Sequence, residues 1–177
     1  LVGPGRDGPD GAVLLGSTIR ITVNRAIAPI AVDPRVVARL RSAVEGVDVV
    51  HIHEPLMPIV GAAATAMRRL PTVGTFHADP PHWARLGYQI GSPLWRRLIR
   101  RLDVVTTVSD VSGSAIASFA HPRVIPNGVD VREYGQAVQV KGRVSFLGRD
   151  DARKGLDVLL KAWPIVCEAV PGATLHV

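Results

Sequence analysis

One stretch decides the fold, Phe146-Leu-Gly-Arg-Asp-Asp-Ala-Arg-Lys-Gly155, because it joins a strand pattern to a helix pattern through a glycine-bearing turn. The apolar run Val144–Leu147 predicts the strand, and the apolar spacing that follows Gly155 predicts the helix. A helix N-terminus favours anions because its free N–H groups and its dipole both present positive charge. With Arg149 and Lys154 in the turn, the stretch is interpreted either as a diphosphate site or as a solvated charged turn.

Outward from this stretch, strand and helix patterns alternate along the chain. Runs rich in Val, Ile and Thr predict strands at Ile19–Val23, Asp48–Ile52, Thr72–Phe76, Val104–Val108, Val124–Ile125, Val144–Leu147 and Ala173–Val177. Helical spacing predicts helices at Pro34–Ala43, Pro58–Arg69, Pro93–Arg101, Asp110–Phe119 and Lys154–Val170. Ser109 is expected to cap the fourth helix, and Pro164 is expected to kink or split the last one. This alternation predicts an α/β fold with a doubly wound parallel sheet.

The domain organisation is indicated by a turn signal at Asn127-Gly128, followed by a polar segment with little periodicity. We expect residues 1–130 to form one domain, residues 131–142 a linker, and residues 143–177 the beginning of a second domain. The chain opens without a methionine and closes inside a strand pattern. We therefore expect a fragment that lacks one strand–helix unit of the first domain and most of the second.

Composition narrows the class of protein. No run reaches the roughly 18 apolar residues that span a bilayer, and no signal peptide is visible, so we expect a cytoplasmic protein. The single cysteine, Cys167, excludes an intramolecular disulfide, and its apolar helical surroundings predict a buried thiol. The net charge of +6 favours anionic partners. Because no aromatic platform or nucleic-acid motif accompanies the charge, nucleic acid is not an expected partner.

Polar residues near the carboxyl ends of the predicted strands are the candidates for a site, because open parallel sheets bind ligands there. These residues include His51, His53 and Glu54 near the end of one strand and His77 after the next. The two histidines share one face if the strand forms, and Glu54 beside them raises the alternative of a metal site. No second cluster has metal-ligand spacing, so we expect His51 to be a buried polar residue rather than a metal ligand.

A basic amphipathic segment, Pro93–Leu102, carries Arg96, Arg97, Arg100 and Arg101 beside an apolar stripe. It is interpreted either as a helix packed on the sheet, with arginine stems along its surface, or as an interfacial helix that meets anionic lipid. The second interpretation predicts peripheral contact with the inner face of the plasma membrane.

The order of several motifs resembles that of a known family. The motifs are Asp48-Val-Val-His-Ile-His-Glu-Pro55, Thr75-Phe-His77, Val108-Ser-Asp110, Ile125-Pro-Asn-Gly-Val-Asp130 and the stretch around Arg149 and Lys154. They resemble glycosyltransferase family 4, the retaining enzymes of the GT-B fold, and are most similar to the actinobacterial enzymes that mannosylate phosphatidylinositol. The resemblance implies two Rossmann-like domains with a cleft between them and transfer of a hexose from a nucleotide sugar.

The resemblance also implies roles for individual residues. His77 matches the catalytic histidine at the mouth of the cleft, and Arg149 and Lys154 match the cations that bind the donor diphosphate. Asn24, His53 and Glu54 fall on the acceptor side. No metal or other cofactor is implied, since the cations replace it, and the implied partners are GDP-mannose as donor and a lipid or small-molecule acceptor.

The segment Asn24–Ile30 departs from the resemblance. Arg25 is its only cation, and Pro29 stands about where those enzymes have an arginine, so this segment gives no support for phosphatidylinositol as acceptor. A second hypothesis of another class therefore stays open, a non-catalytic module that binds anions or lipid surfaces through the arginines of Pro93–Arg101.

Overall fold

The structure is a computed structural model that describes residues 1–23, 26–67, 70–135, 138–148 and 154–177, without the side chains of residues 21–23 and 26–29. Its strands are β1 (Val2–Gly3), β2 (Val13–Leu14), β3 (Thr18–Val23), β4 (Ala26–Ala31), β5 (Val50–His53), β6 (Thr72–Phe76), β7 (Val104–Thr107), β8 (Arg123–Val124), β9 (Arg143–Ser145) and β10 (Thr174–His176). Its helices are α1 (Val36–Ala43), α2 (Val60–Ala66), α3 (His82–Ile90), α4 (Ser92–Ile99), α5 (Asp110–Ile116) and α6 (Leu156–Ala169).

The chain divides into two compact units, Leu1–Asn127 and Gly128–Val177. The division falls at the Asn127-Gly128 turn that also indicates a boundary in the sequence. The assignment of residues 1–130, 131–142 and 143–177 to domain, linker and second domain stays a prediction.

The first unit is built on a parallel sheet with the order β5-β6-β7-β8 among the described strands. The strand β6 has the bounds predicted from its sequence, and it is buried at Thr72, Gly74, Thr75 and Phe76 because it lies between two neighbouring strands. Helices cover the sheet, with α2 against β5 and α5 against β7. The predicted α/β fold with a parallel sheet is therefore confirmed.

An antiparallel hairpin was not predicted. The strand β3 pairs with β4 over six residue pairs, from Thr18 opposite Ala31 to Val23 opposite Ala26. A proline argues against a strand in sequence analysis, and Pro29 lies within β4, opposite Arg20. The proline is tolerated because, among the described strands, this sheet consists of β3 and β4 alone, so each has an edge free of partners.

Helix α3 was not predicted either, since no helix or strand is assigned to the residues between Pro81 and Pro93 in the sequence. The helix begins at His82 and ends at Ile90, and Pro81 is its extended N-cap residue. By contrast, the cap predicted at Ser109 is confirmed. Its hydroxyl accepts from the Ser112 N–H while the Ser112 hydroxyl accepts from the Ser109 N–H, each at 3.3 Å.

The second unit pairs β9 with β10 in parallel, and α6 lies between these strands in the sequence. Two expectations concern α6. Pro164 lies within one continuous helix, so the expected split is absent, and the alternative of a kink stays a prediction. Cys167 is exposed rather than buried, because no residue of α6 is buried against the rest of the described unit.

The close packing around β6 leads to a test of the core. A Cβ at Gly74 would stand 2.5 Å from Leu102 Cδ1 and 2.7 Å from Pro55 Cγ. We expect Gly74→Ala to lower the free energy of unfolding by about 1–3 kcal/mol through overpacking. Urea unfolding followed by circular dichroism measures this change.

The control is a glycine-to-alanine substitution at a position where no neighbouring atoms would contact the new Cβ. A Cβ at Gly87 on α3 would meet nothing within 4 Å. Gly87→Ala should leave the free energy of unfolding unchanged or raise it by up to about 1 kcal/mol, since alanine is the better helix former. Equal losses at the two positions would contradict the packing described for β6.

Candidate functional site

The candidate residues meet at the carboxyl ends of β5 and β6. His53 is the last residue of β5 and pairs in register with Thr75 of β6, two residues before His77. Parallel pairing therefore brings the residues that follow both strands to the same edge of the sheet. The ring of His77 is exposed there.

A hydrogen bond of 2.7 Å joins His53 Nδ1 to His77 Nε2. The rings form a stack in which the centroids of His51 and His53 lie 4.3 Å apart and those of His53 and His77 lie 4.9 Å apart. The prediction that His51 and His53 share one face of the strand is confirmed. The pair uses one nitrogen of each ring, so it leaves Nε2 of His53 and Nδ1 of His77 unused.

Glu54 secures the loop that carries His77. One carboxylate oxygen, Oε1, accepts from the N–H groups of His77 (2.8 Å) and Ala78 (2.9 Å). Bonds from N–H groups to a carboxylate are charge-assisted and stronger than neutral ones. The carboxylate therefore holds the first two residues after β6 against the end of β5.

His51 is exposed, so the expectation of a buried polar residue was wrong. Its position near the open edge of the sheet leaves the ring in contact with solvent, while its Nε2 lies 2.7 Å from Thr75 Oγ1. Thr75 Oγ1 in turn lies 2.6 Å from Thr106 Oγ1 of β7. Sequence analysis did not identify these two threonines as candidate site residues. Their position inside buried strands could have indicated a role, because buried polar side chains need internal hydrogen-bond partners.

A cavity of about 620 Å³ borders the site. His51, His53 and Glu54 line it together with apolar residues of β1, β4 and α2. A few polar groups on an otherwise apolar wall are typical of sites for small organic ligands.

Burial and charge set the electrostatics of the site. Partial burial, and then the neighbouring His51 and His77, lower the pKa of His53, because both effects disfavour the imidazolium. Burial, and then the Glu54 carboxylate, raise the pKa of Tyr88 on α3 to about 12. The site therefore favours a neutral His53 and a neutral Tyr88 at pH 7.

Metal ligands are not assembled in the described part of the chain, where no group of three or more His, Cys, Asp or Glu side chains is placed to hold an ion. His53 and His77 instead use their facing nitrogens on each other. The absence of a metal requirement stays a prediction.

The remaining predicted site residues belong to two other regions. Asn24 and Arg149 lie outside the described residues. Lys154 is exposed and lies just before α6, and its Cγ stands 3.5 Å from the position that a Cβ on Gly148 would occupy. Gly155, the N-cap residue of α6, has a φ of 75°, which favours glycine. The diphosphate role of Arg149 and Lys154 stays a prediction.

Helices α3 and α4 present an exposed apolar row beside the predicted arginine cluster. The exposed fractions are 68% for Trp83, 51% for Leu86, 74% for Ile90 and 62% for Leu94. Spacings of three and four residues place such side chains on one face of a helix. The same spacing in the sequence could have predicted α3. A groove of about 630 Å³ lies alongside, lined by Ser92, Pro93, Arg96, Arg97, Arg100 and Arg101.

Helix α4 also packs on the core, in agreement with the interpretation of Pro93–Leu102 as a packed helix. Ile99 is buried, and Trp95 packs against the core with its ring centroid 6.2 Å from that of Tyr88. Leu94 of the same helix is exposed instead. No helix in the described part of the chain is long and apolar enough to cross a membrane.

Comparison with known proteins links the chain to characterised sequences. A family model described as Glycosyltransferase Family 4 matches residues 1–133. A phosphatidyl-myo-inositol mannosyltransferase of Mycobacterium leprae is 35% identical over 171 residues, which are 90% of this chain and 45% of the relative. The protein of the same name from Mycobacterium tuberculosis is 32% identical over 178 residues, 94% of this chain and 47% of the relative. The chain thus spans about half the length of the curated relatives it matches.

The pKa of His53 predicts how stability depends on pH. The unfolded histidine titrates near its ordinary value of about 6.5. Because the folded pKa is lower, the unfolded chain binds more protons, and the free energy of unfolding should fall as the pH drops below about 6.5. Urea unfolding at pH 7.5 and 5.5 measures the fall. In His53→Asn the fall should be smaller, and an equal fall in both proteins would contradict this assignment.

Proposed function

The chain belongs to glycosyltransferase family 4, and on that premise we propose that the protein moves a hexose, mannose, from a nucleotide-diphosphate sugar to a lipid or small-molecule acceptor. GDP-mannose is the proposed donor, in line with the relatives, whose names describe mannosyltransferases. The observation that carries the proposal is the cluster of His53, Glu54 and His77 at the carboxyl ends of parallel strands, where α/β folds bind their ligands.

Stabilising the departing diphosphate is the main requirement of such a transfer. Preorganised cations aimed at the developing charge supply this stabilisation without a metal ion. Lys154 is suited to the role because it precedes α6, a helix of 14 residues whose N-terminus adds a positive dipole. Arg149 is the second proposed cation, on the grounds of its place in the sequence.

The proposed reaction retains the configuration of the sugar. The bond between the anomeric carbon and the diphosphate oxygen breaks, and the acceptor hydroxyl attacks from the same face. The leaving phosphate takes the hydroxyl proton, so no protein general base is invoked. The exposed ring of His77 would then position the sugar or the acceptor through Nδ1.

The acceptor side is proposed to lie around the carboxyl end of β5. His53 and Glu54 border the cavity there, and Asn24 is the third residue proposed for this side. Phosphatidylinositol is the acceptor suggested by the names of the relatives, whereas Pro29 and the single cation Arg25 in the segment Asn24–Ile30 argue for testing other hydroxyl acceptors beside it.

Donor binding can be tested in the full-length gene product with labelled GDP-mannose, by measuring transfer to phosphatidylinositol and slow donor hydrolysis. We expect Arg149→Ala and Lys154→Ala each to lower kcat/KM by about 10²-fold or more, because each removes a charge from the leaving-group site. His77→Ala should also lower kcat.

The matched control is Lys161→Ala on the same helix. Lys161 is exposed and pairs with Asp157 at 3.9 Å, one turn further along α6, so its loss should leave kcat/KM within about threefold of the unchanged protein. Failure of GDP-mannose and of all other nucleotide sugars to be transferred or hydrolysed would contradict the proposal.

A second candidate function is binding to an anionic lipid surface through α3 and α4. The exposed row Trp83, Leu86, Ile90 and Leu94 beside the arginine groove has the amphipathic character of helices that lie in a membrane interface. Such a surface could serve a non-catalytic module, or could hold a transferase beside a lipid acceptor at the inner face of the plasma membrane.

Vesicle sedimentation tests this surface. We expect binding to vesicles rich in phosphatidylglycerol, weakening with salt, and a loss of about 1 kcal/mol of binding free energy for each of Arg97, Arg100 and Arg101 changed to Gln. The control changes three exposed arginines elsewhere in the first unit, Arg35, Arg41 and Arg123, to Gln and so removes the same charge. Equal losses in both triple variants would show attraction by net charge alone and contradict a defined surface.

A further inference from the structure

Glu54 has a backbone conformation that is unusual for its residue type. Its φ is 56°, in the left-handed region that favours glycine. Residues other than glycine stay in this region only where their surroundings over-determine them, and such residues concentrate at functional sites.

Three contacts hold the main chain of Glu54. Its N–H donates to the Thr75 carbonyl at 2.8 Å, and its carbonyl accepts from the Met57 N–H at 2.8 Å. Helix α2 also approaches closely, since a Cβ on Gly61 would stand 2.5 Å from the Glu54 carbonyl oxygen. Glycine at position 61 therefore permits the approach that locks Glu54.

The left-handed turn aims the side chain of Glu54 at the neighbouring strand end. The carboxylate reaches the N–H groups of His77 and Ala78 through the single oxygen Oε1. Those groups begin the loop between β6 and α3, where no further strand pairing fixes the backbone. The carboxylate is thus the anchor of the residue that the proposed reaction uses.

His53 acts on the ring of the same residue. The bond between His53 Nδ1 and His77 Nε2 restricts the rotation of both imidazoles. One of these two nitrogens carries the proton of the bond and the other accepts it. The ring of His51, stacked on His53 and bonded to Thr75 Oγ1, limits the space in which His53 can turn. On the ring of His77, the bond leaves Nδ1 unused.

We propose that Glu54 and His53 are positioning residues for His77, with Glu54 fixing its backbone and His53 fixing its ring so that Nδ1 faces the substrate. This inference rests on the proposed transferase function for its consequence, although the arrangement of the three residues does not depend on that function. It gives Glu54 and His53 internal tasks in addition to the place on the acceptor side that the resemblance implies for them.

The role of Glu54 can be tested with three substitutions in the full-length gene product. Glu54→Gln keeps an acceptor oxygen and should lose less than about tenfold in kcat. Glu54→Ala and Glu54→Gly remove the anchor and should lose about 10²-fold in kcat, with little change in KM for the donor, because His77 is misplaced rather than the donor released.

The glycine variant separates misfolding from misplacement. Glycine adopts a φ of 56° without strain, so Glu54→Gly should have a thermal midpoint at or above that of Glu54→Ala while losing as much kcat. Glu45→Ala, an exposed glutamate near the end of α1, is the control and should keep the kcat of the unchanged protein. If Glu54→Gln loses as much kcat as Glu54→Ala, the charge itself reacts or binds, and the positioning role is overturned.

The role of His53 can be tested without any activity, by ¹⁵N chemical shifts of the histidine rings in the 177-residue chain. His53→Phe should move the Nδ1 and Nε2 shifts of His77 toward those of a free imidazole, whereas His53→Asn, which keeps a polar atom near Nδ1, should move them less. Unchanged His77 shifts in His53→Phe would overturn the proposal. Shifts that move as expected, together with a full-length gene product that transfers no sugar, would support the positioning and reject the transferase function.

Discussion

The parallel pairing of β5 with β6 is the constraint on which the candidate site depends. Register places His53 opposite Thr75, and because both strands run in the same direction, the residues that follow them emerge at one edge. A shift of one residue would turn every side chain of β5 to the other face of the sheet and separate His53 from His77. The buried strand β6 and the helix α2 packed on β5 secure that register through the core.

The end of β5 shows how a strained residue can be stable in a fold. The left-handed backbone conformation of Glu54 is strained, and strain of this kind costs about 1–3 kcal/mol. It gains a main-chain bond to Thr75 and two charge-assisted bonds from the loop after β6. The strain and the bonds belong to one arrangement, because only the left-handed turn directs the carboxylate across to the neighbouring strand.

Helices α3 and α4 illustrate the division of an amphipathic segment between core and surface. Ile99 is buried and Trp95 packs against the core, while Trp83, Leu86, Ile90 and Leu94 stay exposed. Large apolar side chains exposed together on neighbouring helices are a feature of surfaces that meet a partner. The arginines of α4 add positive charge to this part of the surface, which is the reason for proposing an anionic rather than a neutral lipid as its partner.

The sequence by itself determined the local features and the family. The bounds of β6, the capping box at Ser109 and the alternation of strands with helices follow from propensities and spacings within a few residues. Tertiary structure decided the rest, because pairing and packing join residues that are far apart in the chain. No local pattern reports that His53 meets His77, that Glu54 turns left-handed, or that the strand containing Pro29 pairs with β3. Each depends on which neighbour offers a hydrogen bond, and that is settled only when the sheet forms.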